Sequence, residues 1–393
     1  MIVGRADRAV MPVADKLIAA ACGRKAGGVD FAEAGWSKEL ALHLIEVKTL
    51  APHPDLGYAA GLFARQVRRI NELLAPLGGV LMPGGAHPLM NPAREAVLWP
   101  HEDREIYAAY DRIFGCSGHG WTNLQSVQLN LPFADDDEFA RLHAAVRLVL
   151  PLLPALAAAS PYFEGRFCGF LAGRLDYYRR NQVRVPAVAG HVIPERAFSR
   201  SAYQERILEP MYAAIAPWDP AGLLQEEWLN SRGAIARFDR MAIEIRLMDA
   251  QECPEADFAA LALVTAAVRA LVEERWISLN EQMAWPEERL ESILLEVMRE
   301  ADTTVIRDAE YLRILGCPAK EMRALEVWRH LAESSLREPE RARFREPLRV
   351  ILERGPLARR MIQALGMQPS REDLVEMCRT LSACLAGNRL LLP

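Results

Sequence analysis

RFDRMAIEIRLMD, residues 237–249, is the stretch that decides the fold class, because apolar and polar side chains alternate along it. A β-strand turns successive side chains to opposite faces, so Ile243 and Ile245 share one face while Glu244 and Arg246 share the other. Such alternation is expected of an antiparallel sheet with one face on the core and the other in water. Periodicity alone leaves open whether the polar face is simply solvated or forms a site.

Two further segments alternate in the same way. Within residues 40–48, Glu46 and Lys48 lie on the face opposite Ile45. Within residues 126–131, every second side chain is polar; these are Ser126, Gln128 and Asn130. The sequence therefore predicts three strands, each with a polar face.

Helix signals lie between these strands. Asp55 is a good N-cap for a helix that Gly78 ends. A second helix is expected after the acidic residues 135–137, with its end near Ser160. Strands that alternate with helices in this way indicate the α+β class.

The last third of the chain has a different pattern. From Pro254 onward it reads as helix after helix, with few β-branched runs. We expect residues 1–253 to form the catalytic sheet and its helices, and residues 254–393 to be the helical part of the same domain. Residues 257–276 are apolar on more than one face, which indicates burial in the fold or at a contact in a homodimer.

Composition excludes several classes of function. The chain has 47 basic and 52 acidic residues and a formal charge of −5, so there is no basic surplus for nucleic-acid binding. The apolar run 148–159 contains Pro151 and Pro154 and is shorter than the roughly 20 residues of a membrane span. Residues 1–15 lack the apolar core of a secretory signal. Seven cysteines without a C-x-x-C pair argue against a disulfide framework. We expect a cytoplasmic protein with neither nucleic-acid nor membrane partners.

Weaker site candidates have ordinary structural explanations. Residues 82–88, MPGGAHP, lack the Lys-Ser/Thr of a phosphate loop, which favours a plain turn. Cys116 and His119 have metal-ligand spacing, but no second pair follows. Cys168 as a nucleophile would need a histidine within reach. The arginines of one segment could grip anions or simply face solvent: Arg166, Arg174, Arg179, Arg180 and Arg184.

Taken in order, four segments resemble the bacterial glutamate-cysteine ligase and carboxylate-amine ligase family. Residues 36–46, WSKELALHLIE, resemble the family's acidic segment, whose metal-binding positions correspond to Glu46 and Glu39. Residues 123–133 resemble a strand that precedes a Leu-Pro turn. Residues 159–174 resemble a Ser-Ser-Pro segment with a downstream arginine, and residues 237–249 contain the family's Glu-x-Arg-x-x-Asp pattern, which is the most specific match.

The resemblance implies a glutamine-synthetase-like fold, with a curved, mostly antiparallel sheet, packed helices and a helical C-terminal part. It implies that ATP phosphorylates a carboxylate, classically the γ-carboxyl of glutamate, and that an amine displaces the phosphate. Mg²⁺ prefers carboxylate oxygens, so its expected ligands are Glu46, Glu244 and Glu39. Arg246 and Glu244 are the expected catalytic residues. The expected contacts with the nucleotide are Arg240, Gln128 and Asn130, and those with the substrate are Arg174 and Ser126.

Two departures from the family pattern bear on activity. Family members open with a strand that carries metal-binding glutamates as Gly-x-Glu-x-Glu, and Met1 looks like the point just after that motif. Met1 is then either an internal methionine of a longer reading frame or the start of a shortened gene. Ser126 and Gln128 stand where the family has one or two histidines, and neither side chain titrates near neutrality. An acid or amine other than glutamate or cysteine is therefore expected.

The sequence predicts an ATP- and Mg²⁺-dependent carboxylate-amine ligase that forms a γ-glutamyl amide through an acyl phosphate. Its partners are small molecules: glutamate or another carboxylate, and an amine. The alternative is a non-catalytic or regulatory homologue that keeps the fold and nucleotide binding. A purely helical interaction protein is a third reading, and strands in the structure would exclude it.

Overall fold

A computed structural model describes residues 1–392. The strands are β1 (Ile2–Gly4), β2 (Gly28–Asp30), β3 (Ala34–Lys38), β4 (Ile45–Thr49), β5 (Gly79–Leu81), β6 (Ser126–Pro132), β7 (Tyr162–Phe163), β8 (Arg166–Phe167), β9 (Ala234–Arg237), β10 (Ala242–Asp249), β11 (Val305–Ile306) and β12 (Met322–Arg323). The α-helices are α1 (Ala14–Cys22), α2 (Leu56–Leu74), α3 (Pro92–Glu95), α4 (Arg104–Phe114), α5 (His119–Thr122), α6 (Asp136–Val149), α7 (Leu153–Ala157), α8 (Gly173–Tyr178), α9 (Arg200–Tyr203), α10 (Glu209–Ile215), α11 (Pro254–Val272), α12 (Leu279–Met283), α13 (Glu287–Glu300), α14 (Ala309–Ile314), α15 (Ala324–Ser335), α16 (Glu338–Arg343), α17 (Arg345–Arg354), α18 (Leu357–Leu365) and α19 (Arg371–Gly387).

The fold is α+β, as predicted, and the paired strands are antiparallel. The strands belong to several small sheets: β6-β10-β9, β2-β3-β4, and the pairs β1-β5, β7-β8 and β11-β12. The first of these, which we call the central sheet, contains both of the best predicted strands. Its β10 is the longest strand, with residues of β6 on one side and of β9 on the other.

The central sheet separates apolar and polar side chains as the alternation predicted. Ile243, Ile245 and Leu247 are at most 2% exposed and belong to the main hydrophobic core. On β6 the polar side chains are exposed and Leu129 between them is buried. The register pairs Glu244 with Asn130, so the polar residues of both strands share one face.

A bulge in β10 explains why two residues, and not one, separate Arg246 from Asp249 in the sequence pattern. Ile245 pairs with Leu129 and Met248 with Val127, so β10 has one more residue than β6 over this stretch. The extra residue shifts the alternation by one position. Asp249 therefore pairs with Ser126 on the same face as Glu244, although five positions separate them.

Two helix starts follow their predicted caps. The Asp55 carboxylate accepts a hydrogen bond from the backbone N–H of Tyr58 at 3.0 Å and begins α2. Asp135 accepts one from Glu138 at 2.9 Å and begins α6. Prolines at 151 and 154 fit the change from α6 through a short 3₁₀ turn to α7, which ends at Ala157.

The predicted strand over residues 40–48 is wrong for its first half. A hairpin pairs β3 with β4, with Ser37 opposite Glu46, and residues 39–44 form the connection between them. The buried side chains of this connection pack into the fold, and Ala41 bridges to Leu98. The alternating pattern does not distinguish a buried connection from a strand, because both present apolar residues at short intervals.

Helices dominate the part after Pro254, interrupted only by the short β11-β12 pair among the described residues. The helix α11 packs against α2, α6 and α15. One hydrophobic cluster runs from Ala59 to Ala358 and so includes residues from both parts of the chain. The central sheet lies on this cluster.

One helical segment, Asp136–Ala157, is long and apolar enough to cross a membrane by length and composition. Its most apolar window has a mean hydropathy of 1.4, and 89% of that window is buried inside the protein. Burial of this kind is typical of a core helix.

Candidate active site

The polar face of the central sheet is organised by an ion pair. The Arg246 Nε donates to Glu244 Oε1 at 2.6 Å, and the two side chains are 20% and 4% exposed. Arg246 also donates through Nη1 to the carbonyl oxygen of Asn230 at 3.2 Å. One charged group therefore stays accessible while its partner is buried beneath it.

Three arginines surround Glu244. Arg237 on β9 donates to Glu244 Oε2 at 3.4 Å, and the charge of Arg240 also acts on this carboxylate. Burial opposes ionisation of Glu244, but the positive charges of Arg246, Arg237 and Arg240 outweigh burial and lower the pKa of this carboxyl. Glu244 in turn raises the pKa of Arg246, which is a permanent cation.

Two more carboxylates lie near this pair. Glu39 comes directly after β3 and Glu46 is on β4, so the hairpin brings them together. Burial, together with the charges of Glu46 and Glu244, raises the pKa of Glu39 to about 7, although the charge of Arg246 opposes this shift. Ser37 donates its hydroxyl to Glu46. The charges of Glu46 and Glu244 thus act on Glu39, which lies in a connection between strands, but the three carboxylates are not arranged as a group that could hold a metal ion by itself.

The predicted nucleotide and substrate positions on β6 face the same way. Ser126, Gln128 and Asn130 are exposed, and Asn130 pairs directly with Glu244. Arg240 lies at the turn after β9, where its side chain is 60% exposed and 3.6 Å from Asp239. Three of these residues line the polar face of β6 and the fourth lies at the turn after β9, and the ligands expected for them stay predictions.

Arg174 is built into the structure beneath the site. Its side chain is 2% exposed, its Nε donates to Asp249 Oδ1, and its Nη2 donates to the carbonyl oxygen of Arg246 at 3.3 Å. Asp249 Oδ2 also accepts from the Ser160 hydroxyl and the Ala159 N–H, both at 2.7 Å. Among the described residues, Arg174 Nη1 has no hydrogen-bond partner. It is therefore the one nitrogen of Arg174 that is left to bind a substrate carboxylate, as predicted for this side chain.

The turn formed by residues 82–88 packs closely against the Asp249 carboxylate. Gly85 N–H donates to the Ala159 carbonyl at 2.9 Å, and Gln125 N–H donates to the Gly85 carbonyl at 2.9 Å. A methyl group at position 85 would lie 2.5 Å from Asp249 Oδ2. Glycine is therefore required by the close approach of the turn to this carboxylate.

Gly85→Ala is expected to destabilise the protein by about 2–3 kcal/mol, because its methyl group must displace a fully hydrogen-bonded carboxylate. Gly61→Ala is the matched control, since that glycine lies inside α2 and its nearest atom would be 3.6 Å away. The control should gain about 0.5–1 kcal/mol from helix propensity. Urea unfolding of both variants measures the difference. Equal stability would contradict the packing of Gly85 against Asp249.

The cysteine and zinc alternatives find no support in the geometry. Burial raises the pKa of Cys116 to about 12 and that of Cys168 to about 11, so neither thiol is activated as a thiolate. His119 Nε2 lies 3.4 Å from Glu164. Within residues 1–392, no group of three or more His, Cys, Asp or Glu side chains could hold a metal ion by itself.

Sequence reasoning missed the residues that come from other elements. Tyr178 lies beside Arg246 and raises its pKa. Burial raises the pKa of Tyr107 on α4, and the negative charges of Glu39 and Glu46 also raise it. Lys38 Nζ donates to the carbonyl oxygen of Glu102 at 3.0 Å, which ties β3 to the start of α4. An aromatic spacing of three on α4 was the available signal, and it equally fits a core helix.

The structure has two cavities that are not lined by Glu244 or Arg246. A cavity of about 10 Å³ lies behind the sheet, between Leu247, Tyr178 and the ion pair of His191 with Glu291. An open cleft of about 470 Å³ lies between Met90, Glu164 and Arg371. Because neither cavity includes Glu244 or Arg246, the shape of the surface does not identify the site. We assign the candidate site to the open polar face of the central sheet because of the charged residues that lie there.

Comparison with known proteins agrees with the resemblance of the four segments. The sequence model of glutamate-cysteine ligase family 2 matches residues 1–380. A protein of Archaeoglobus fulgidus named "Uncharacterized protein" is 34% identical over 389 residues, which are 97% of this chain and 95% of that protein. The "Putative glutamate–cysteine ligase 2" of Pseudomonas fluorescens is 27% identical over 85% of this chain and 80% of its own length. The protein of the same name from Clavibacter sepedonicus is 29% identical over 35% of this chain and 34% of its own length.

Proposed function

The chain belongs to glutamate-cysteine ligase family 2, and on that premise we propose that it is an ATP-dependent carboxylate-amine ligase that forms a γ-glutamyl amide through an acyl phosphate. The membership and the names of the relatives support a ligase-like function. The observation that carries the finer proposal is the charged group on the central sheet, where Arg246 and Glu244 lie beside Glu39 and Glu46. Clustered acidic and basic groups of this kind suit phosphoryl transfer to a carboxylate.

The proposed reaction has two steps. An oxygen of the substrate carboxylate attacks the γ-phosphorus of ATP, the bond to the β-phosphate oxygen breaks, and ADP leaves. The nitrogen of the amine then attacks the carbonyl carbon, the carbon–oxygen bond to phosphate breaks, and the nitrogen loses a proton. Both steps develop negative charge on phosphate oxygens, which Arg246 is placed to stabilise as a fixed cation.

Glu39, Glu46 and Glu244 are not arranged to hold a metal ion by themselves, so the proposal gives them Mg²⁺ that arrives with the nucleotide. Mg²⁺ is usually held by one or two carboxylates together with substrate phosphates and waters, and when bound it neutralises phosphate charge. Glu46, Glu39 and Glu244 supply oxygen donors of this type. The pKa of Glu39 is raised mainly by burial and also by the negative charges of Glu46 and Glu244, and a cation would relieve the repulsion between these carboxylates. We assign Glu46 and Glu39 to this role first, because two arginines already occupy Glu244.

The remaining predicted contacts have separate parts in the proposal. Arg240, Gln128 and Asn130 would bind the nucleotide from the exposed rim, where each has free hydrogen-bonding groups. Ser126 and Arg174 Nη1 would meet the substrate carboxylate next to the bulge. The buried bonds of Arg174 also make it a positioning residue for Arg246.

The test is release of ADP by the full chain with Mg²⁺, ATP and glutamate, against a panel of amines and with hydroxylamine as a small trap for the acyl phosphate. Glutamate-dependent ADP release together with a hydroxamate supports the proposal. Nucleotide binding without turnover across acids and amines would support the alternative of a non-catalytic or regulatory homologue.

Glu39→Gln is expected to stabilise the protein at pH 8 by about 1–2 kcal/mol, a value reduced for the partial exposure of Glu39. The pKa of Glu39 is raised from 4.5 to about 7 in the folded protein, so the folded state binds more protons than the unfolded state in that window. Stability of the natural chain should fall as the pH rises from 4.5 to 7, and the variant should lack that fall.

Thermal unfolding between pH 4 and 8, with and without Mg²⁺, measures this difference. Mg²⁺ should stabilise the natural chain at pH 8 more than the Glu39→Gln variant. Glu72→Gln, on the exposed side of α2, is the matched control and should follow the natural profile. Identical profiles for all three proteins would refute the shared site of Glu39, Glu46 and Glu244.

A further inference from the structure

Four aromatic rings from three separate parts of the chain form one continuous array. Tyr110 and Phe114 lie one turn apart on α4, with ring centroids 5.9 Å apart. Trp121 on α5 packs against both, at 5.3 Å from Tyr110 and 5.5 Å from Phe114. Trp228 lies 6.0 Å from Tyr110 on the other side. We call these four residues the aromatic cleft.

Tyr110, Phe114 and Trp228 of the aromatic cleft pack against the main hydrophobic core, but none of the four rings is fully enclosed. All four are only partly buried. The Tyr110 hydroxyl and the indole nitrogens of Trp121 and Trp228 make no hydrogen bond to any residue in 1–392, and none of these atoms is enclosed. Large rings in a core are usually fully buried, with their polar edges satisfied. Here the polar edges and part of the ring surface remain available to a ligand.

The aromatic cleft adjoins the charged residues. Burial raises the pKa of the Tyr110 hydroxyl, and the positive charge of Arg246 acts on the same hydroxyl in the opposite direction. Trp228 is two residues before Asn230, whose carbonyl oxygen accepts a hydrogen bond from Arg246 at 3.2 Å. A molecule that lies on these rings therefore has one end next to the group to which we assign phosphoryl transfer.

Neighbouring contacts hold the aromatic cleft in place. Gly120, next to Trp121, leaves the space that the Asn181 side chain fills, and Asn181 donates to the Gly120 carbonyl. Arg184 donates to the Arg112 carbonyl at 3.4 Å and so ties the following loop to α4. A fixed array of rings loses little conformational entropy when a flat ligand stacks on it.

We propose that the amine substrate of this site carries an aromatic body, which stacks in the aromatic cleft while its amino nitrogen reaches the acyl phosphate beside Arg246. The inference rests on the proposed function and names its acceptor class. A cysteine acceptor would leave these partly exposed rings without a partner. An amine with an aromatic ring covers them and excludes water from the reacting end.

The experiment compares 2-phenylethylamine with n-butylamine as acceptors for the full chain. We expect kcat/KM for the aromatic amine to exceed that for the alkyl amine by about 10-fold or more. Trp228→Ala and Tyr110→Ala should bring this ratio close to one through a raised KM for the aromatic amine. Trp218→Ala is the control, since this tryptophan is 45% exposed and lies outside the array, and it should keep the ratio.

Tryptophan fluorescence makes the test independent of turnover. Titration with 2-phenylethylamine should change the fluorescence of the natural chain, with a Kd about 10-fold weaker in Trp228→Ala than in Trp218→Ala. A ratio of one or less in the natural chain, or no fluorescence response, would overturn the inference. Absence of the hydroxamate with every acid would refute the proposed function instead, and the titration would still decide whether the aromatic cleft binds aromatic amines.

Discussion

Arg246→Ala is expected to lower glutamate-dependent ADP release by about 100- to 1,000-fold, because removal of one fixed charge from a preorganised site costs that much in other enzymes. The Arg246 side chain is 20% exposed on the polar face and pairs with Glu244 at 2.6 Å. Glu244→Gln should lose a similar amount, since it removes the partner that orients Arg246 and a carboxylate of the acidic group.

Steady-state kinetics of the two single variants and the double variant measure this effect. Residues that act as a unit are not additive, so the double variant should be no slower than the slower single variant. Arg166→Ala is the matched control, an exposed arginine of β8, and it should leave turnover unchanged. Circular dichroism checks the fold of each protein. Unaltered turnover in both Glu244→Gln and Arg246→Ala would refute the assigned site.

Asp249→Ala is expected to destabilise the protein by about 3–5 kcal/mol, because it leaves the buried Arg174 charge without its partner. The two side chains are 1% and 2% exposed, so water cannot replace the lost ion pair. The variant also leaves the Ser160 hydroxyl and the Ala159 N–H without their acceptor.

Urea unfolding measures this loss, with the Arg174→Met/Asp249→Leu double variant as the informative comparison. Two apolar side chains of similar volume should recover part of the stability, while turnover stays low because Arg246 has lost its support. Arg349→Ala is the control, since its ion pair with Glu346 is 50% and 72% exposed and should contribute under about 1 kcal/mol. A loss as small as the control's would show that the Arg174–Asp249 pair does not hold this end of β10.

The sequence predicted the parts of the fold that depend on local pattern. The alternation over residues 242–249 placed Glu244 and Arg246 on one face, and the structure confirms it. The N-caps Asp55 and Asp135 were readable for the same reason, because a cap and its helix are neighbours in the chain. The α+β class followed from the order of these elements.

Features that depend on tertiary contacts were not readable. The hairpin of β3 and β4 has a buried connection, so Glu39 could not be placed from its spacing to Glu46. The bulge before Asp249 changes the parity of β10, and alternation assumes constant parity. The aromatic cleft joins rings more than 100 positions apart, such as Tyr110 and Trp228. Division of the strands among several small sheets likewise depends on contacts between distant segments.

The central claim is that this chain activates a carboxylate as an acyl phosphate, and oxygen transfer tests it most directly. Glutamate labelled with ¹⁸O in its γ-carboxyl group is incubated with ATP, Mg²⁺, an amine and the full chain, and the released inorganic phosphate is analysed by mass spectrometry. The account predicts one ¹⁸O atom in each phosphate, because the carboxylate oxygen that attacks phosphorus leaves with it. Release of unlabelled phosphate alongside amide formation would contradict the acyl phosphate and with it the proposed mechanism.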